Sequence, residues 1–68
     1  MTGQQTRIMI VDDLSSARQL LGAAIKDVLA EQNIVNYVLC DAASFKEAMV
    51  MLDQKFDFAF VDLHLPDG

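Results

Sequence analysis

Ile8-Met9-Ile10-Val11-Asp12-Asp13 is a run of apolar residues closed by two adjacent acids. Apolarity that is continuous rather than alternating marks a short strand buried on both faces, as in parallel sheets. Phe58-Ala59-Phe60-Val61-Asp62 repeats the pattern towards the other end of the chain, again closed by an acid. If the two runs are neighbours in one parallel sheet, Asp12, Asp13 and Asp62 meet at the same sheet edge. That edge is where open α/β sheets place their chemistry.

The residues between the runs read as crossovers. From Leu14 to about Glu31, the residues Leu14, Ala17, Leu20, Leu21, Ala24, Ile25, Val28 and Leu29 recur at spacings of three and four. That pattern predicts an amphipathic helix with one broad apolar stripe. Ser15 or Ser16 is the expected cap, and Gly22 is expected to pack close to the sheet. Gln32 and Asn33 end the helix. Ile34–Cys40 is the second strand candidate, with Tyr37, Val38 and Leu39 favouring strand. Ser44–Gln54 is the second helix, opened by a capping box of Ser44 and Glu47 and burying Phe45, Ala48, Met49 and Leu52. Phe56 anchors the turn before the third strand, and Leu63–Gly68 is a loop. Strand, helix, strand, helix, strand with crossovers of this length implies parallel pairing with helices on the faces of the sheet.

Composition bounds the function. A chain of 68 residues is at most one small domain, and one of this size is marginally stable alone. Its formal net charge of -5 repels nucleic acid, and Arg7, Arg18, Lys26, Lys46 and Lys55 form no cluster. Direct nucleic-acid binding is therefore not expected. No apolar run reaches the roughly 20 residues of a membrane span, and residues 1–6 are a polar lead-in without a signal-peptide core. With one cysteine there is no internal disulfide. A cytoplasmic protein is the expectation. The 53% hydrophobic content is high for so small a domain and points to further structure, or a partner, covering it.

Acids gathered at one edge repel one another unless a cation sits among them. Magnesium suits such a site, because it takes hard oxygen ligands. A zinc set is missing: His64 stands alone in its loop and Cys40 lies on another strand. Met9, Met49 and Met51 read as core. Asp41, Asp53, Asp57 and Asp67 read as surface or turn residues. Arg18, one helical turn past Asp13, falls either at the rim of the site or in solvent.

These residues carry a specific resemblance. Ile8–Val11 with Asp12-Asp13 resembles the opening of a response-regulator receiver domain of two-component signalling. Phe56-Asp57-Phe58-Ala59-Phe60-Val61-Asp62-Leu63-His64-Leu65-Pro66-Asp67-Gly68 is similar to that family's phosphoacceptor strand and loop. The spacing of the two motifs fits, as does the small residue Ala48 in the second helix. The resemblance spans residues 7–68 and covers about the first half of a family domain.

It implies a flavodoxin-like, doubly wound parallel sheet: here a βαβαβ unit of strand order 2-1-3, within an expected (βα)5 domain. It implies that Asp62 is the phosphoacceptor and that Asp13 ligates Mg2+. Asp12 would act through a metal-bound water, and Asp62 and the backbone carbonyl of His64 would complete the protein's ligands. Pro66 and Gly68 would shape the acceptor loop. The implied donor is the phosphohistidine of a sensor histidine kinase or phosphotransfer protein, and the implied response is the switching of a C-terminal output domain or a docking surface.

The family also uses a hydroxyl residue after a fourth strand and a Lys after a fifth. Neither is present up to Gly68. The first expectation is that the 68 residues are part of a longer receiver, truncated after the third strand. Two others stand beside it. One is a natural truncated regulator, or a non-phosphorylated receiver-like interaction module. The other is a homodimer that completes its sheet along the edge of the third strand.

Overall fold

Five elements alternate along the chain in the computed structural model, which describes residues 5–66. They are β1 (Thr6–Val11), α1 (Ser15–Glu31), β2 (Tyr37–Ala42), α2 (Phe45–Met51) and β3 (Phe58–Val61). Both strand pairings are parallel, and the order is β2-β1-β3. This is the expected βαβαβ form of the flavodoxin-like, doubly wound sheet.

β1 lies at the centre because its apolar run serves two faces at once. Ile8, Met9, Ile10 and Val11 are each 2% exposed. Alternate residues of a strand point to opposite sides of the sheet. Ile8 and Ile10 accordingly pack with Ile25 and Leu29 of α1, whereas Met9 and Val11 pack with Ala42, Ala48 of α2 and Leu65. Each such side chain contributes about 1.5–3 kcal/mol on burial, so one strand anchors both layers.

The helix ends are built from local chemistry. At the C-terminus of α1, Asn33 adopts φ 60°, a left-handed conformation that asparagine tolerates. The Asn33 N–H donates to the Ala30 carbonyl, and the Ile34 N–H donates to the Leu29 carbonyl at 2.8 Å. This is a Schellman closure, completed by the packing of Ile34 against the cluster that contains Leu29. At the start of α2, the Ser44 hydroxyl accepts from the Glu47 N–H at 3.1 Å. Glu47 reaches back to accept from the Ala43 N–H at 3.0 Å, one residue earlier than the usual reciprocal bond.

Several expectations are corrected. Thr6 belongs to β1, not to the polar lead-in. β2 starts at Tyr37 and runs to Ala42, because Ile34 is drawn into the α1 closure. Helix α2 stops at Met51, where tighter bonds from Leu52 to Met49 and from Gln54 to Met51 end the α-helical ladder. Neither Ser15 nor Ser16 caps α1; the cap position is Leu14, with no side-chain bond.

Burial also falls short of the sequence pattern. Of the predicted α2 stripe only Ala48 is buried, and Leu14, Leu20 and Val28 of the α1 stripe are exposed. β3 carries the same continuous apolar pattern as β1, yet Phe58, Phe60 and Val61 are 58%, 42% and 50% exposed, in keeping with the open edge of the third strand that the sequence implies. Lying at the sheet's edge, it has β1 on one side only, and neither helix covers it. The readings placed on residues 1–4, Asp67 and Gly68 lie outside the described residues.

Both ends of β3 are tied to β1. At its start the Asp57 N–H donates to the Arg7 carbonyl at 2.8 Å, and the Arg7 N–H donates to Asp57 Oδ2 at 2.9 Å. The Arg7 guanidinium lies over the Phe56 ring, 5.6 Å from its centroid. At the other end, the Asp62 N–H donates to the Val11 carbonyl at 2.9 Å.

Candidate functional site

The three strands end level. Val11 faces Ala42 on one side and Val61 on the other. Each ladder continues one residue further: the Asp12 N–H donates to the Ala42 carbonyl at 3.1 Å, as the Asp62 N–H does to that of Val11. The backbone of both acids is thus fixed by sheet hydrogen bonds. From β1 the chain moves to β2 on one side, and later returns to β3 on the other. The gap beyond the ends of β1 and β3 is therefore a topological switch point, where ligands bind in open α/β sheets.

Asp12, Asp13 and Asp62 meet at this gap, as the sequence implies. One carboxylate oxygen from each lies within 4.8 Å of the others; Asp12 and Asp62 are half-buried and Asp13 is exposed. Asp12 Oδ1 accepts from the Leu14 N–H at 3.0 Å, and Asp62 Oδ1 accepts from the His64 N–H at 3.1 Å. These bonds turn the chain sharply after each acid and orient both carboxylates. A cleft of about 310 Å³ adjoins them, lined by Val11, Asp12, Leu21, Phe60, Val61 and Asp62.

The chemistry of this donor set fits a hard divalent cation. Every side chain in the cluster offers oxygen, and neither histidine nor cysteine joins it. Like charges at such separations repel, and a cation among them reverses the sign of the interaction. The acidic cluster can therefore hold a metal ion. His64 is exposed, and it meets the site through its backbone N–H rather than its imidazole. Pro66 is exposed in the following turn.

One pair of residues goes beyond the sequence reading. Arg18 donates through Nη1 to the Asp12 carbonyl at 2.7 Å and through Nε to Asp41 Oδ2 at 3.0 Å. Asp41, read from the sequence as a surface residue, lies opposite Ile10 near the end of β2. The usable signal was the lean of helical side chains towards the helix N-terminus. That lean aims an Arg in the first turn back at the strand ends.

No family model matches this chain, no curated protein matches it, and no solved structure matches it.

Proposed function

We propose that this chain is a receiver-type phosphoacceptor, in which Asp62 accepts a phosphoryl group at a magnesium site formed with Asp13 and Asp12. The observation that carries this reading is the convergence of three carboxylates from the ends of two adjacent parallel strands, within 4.8 Å, at the switch point. Asp13 would bind the cation directly and Asp12 through water. Asp62 and the His64 carbonyl would supply the remaining protein oxygens. Bound magnesium supplies positive charge that offsets the repulsion between Asp62 and an incoming phosphoryl group.

Asp62 itself acts as the nucleophile. A carboxylate oxygen attacks phosphorus, a P–O bond forms, and the P–N bond to a donor imidazole breaks. The leaving imidazole keeps the electron pair and takes up a proton. Water later hydrolyses the acyl phosphate, releasing phosphate and restoring the carboxylate. The backbone bond from His64 holds one Asp62 oxygen in place, which fixes the direction of the carboxylate. The proposed partners are a sensor histidine kinase or phosphotransfer protein as donor, and an output domain or docking surface as responder.

Incubation with acetyl phosphate and magnesium, followed by intact-mass measurement, tests this reading. The expected product is a single phosphoryl adduct, labile to hydroxylamine and lost in Asp62→Ala. An acid-stable adduct that survives Asp62→Ala would sink it.

A non-phosphorylated interaction module is the second reading, favoured by the exposed apolar side chains Phe60, Val61 and Leu63 beside the site. It predicts no adduct under these conditions but saturable binding to a kinase or regulator.

A further inference from the structure

The Asp12 carbonyl belongs to the planar peptide unit that also carries the Asp13 nitrogen. Whatever fixes that oxygen fixes the plane, and with it the direction in which Asp13 leaves the loop. Arg18 fixes it. Its own N–H bonds the Leu14 carbonyl at 3.1 Å in the first turn of α1, and its side chain turns back over the loop to the Asp12 carbonyl at 2.7 Å. The same guanidinium is held from the other side by Asp41 Oδ2 at 3.0 Å. The Arg18 side chain is 17% exposed and that of Asp41 60%, so the guanidinium is sheltered while the Asp41 arm of the clamp faces water. The planar fork suits this task, because its separate N–H groups reach two acceptors at once.

We infer that Arg18 is a positioning residue for the cation site, clamping the Asp12–Asp13 peptide unit to Asp41 and so aiming the Asp13 carboxylate. The inference rests on the magnesium-dependent reading above. It makes a prediction of sign. A guanidinium beside a cation site repels the cation, so on charge alone its removal strengthens magnesium binding. As a positioning residue, its removal weakens binding, because Asp13 is no longer pre-aimed.

A magnesium titration of the chain tests this, followed by the amide resonances of Asp12, Asp13 and Asp62, with circular dichroism confirming the fold of each variant. Arg18→Ala is expected to raise the magnesium Kd about five- to tenfold, the scale of one ordinary net hydrogen bond. Arg18→Lys keeps the charge without the fork and is also expected to raise it. Unchanged or tighter binding by Arg18→Ala overturns the inference. Should Arg18→Ala fail to fold, Arg18→Lys decides, because wild-type affinity in that variant overturns it equally. If the unmodified chain shows no binding at millimolar magnesium, the metal-site reading itself falls and takes this inference with it. Binding by the unmodified chain with no loss in the variants removes the inference alone.

Discussion

Asp12 and Asp62 are held in the same way: each accepts, through Oδ1, the backbone N–H two residues further on, at 3.0 and 3.1 Å. The two acids follow different strands, separated in sequence by most of the chain, yet each chain reversal is built around the same local bond. Asparagine forms this turn as readily as aspartate. Charge and geometry can therefore be separated by substitution.

Asp12→Asn and Asp62→Asn are expected to keep both turns while removing one charge from the cluster. Without magnesium they should unfold at the same temperature as the parent chain or higher, because repulsion among the acids is relieved. Asp12→Ala and Asp62→Ala lose the turn as well and should fall below their Asn counterparts. Thermal unfolding at low salt checks the order, and the gain should shrink as salt screens the charges. Magnesium should stabilise the parent chain more than any of the four variants.

Gly22 offers a gain. It is buried in α1, and a Cβ there would lie 3.7 Å from Leu39 Cδ2 and 3.9 Å from Ile10 Cδ1, both ordinary contacts. Close packing does not demand glycine at this position. Gly22→Ala is expected to stabilise the chain by about 0.5–1 kcal/mol through helix propensity, read as a higher urea midpoint with an unchanged slope.

Ser44→Ala removes the hydroxyl that accepts from the Glu47 N–H. The expected cost is about 1 kcal/mol. Adding Glu47→Ala should cost less than the two single changes summed, because both side chains serve the same helix start. Urea unfolding of the single and double variants measures that coupling.

Ile10→Ala strikes the centre of the fold. The side chain is 2% exposed and packs with Ile8, Ile25 and Leu29. A loss of about 2–5 kcal/mol is expected, enough to unfold a chain of marginal stability. Ile10→Val, which removes one methylene, should cost about 0.5–1.5 kcal/mol and remain folded. Circular dichroism of the two variants at one temperature separates these outcomes.

What could be read from the sequence depended on the range of the cause. The continuous run Ile8–Val11 announced a strand buried on both faces, and its closing acids announced the site edge. The cap at Ser44 and the end of α1 at Asn33 are local signals, and both were legible. The start of β2 was misplaced because Ile34 looks like a strand residue but closes the preceding helix. The burial of α2 is overestimated by the sequence pattern, because apolarity shows what can be covered and not what covers it. The lean of a first-turn side chain aims Arg18 at the strand ends, but its pairing with Asp41 joins a helix start to a distant strand and comes into view in the assembled fold.

The acids of the cluster belong to two strands, and β3 contributes no buried side chain to hold them together. Its attachment rests on the ladder to β1, the Arg7–Asp57 bonds at one end and the Asp62–Val11 bond at the other. A cation gripped by Asp13 and Asp62 together is then also a clasp. Its binding free energy adds to the docking of the third strand, by about 2.7 kcal/mol when the ion stands at a hundred times its Kd. Divalent-ion supply would then govern how long β3 stays docked, apart from any role of the ion in the proposed chemistry.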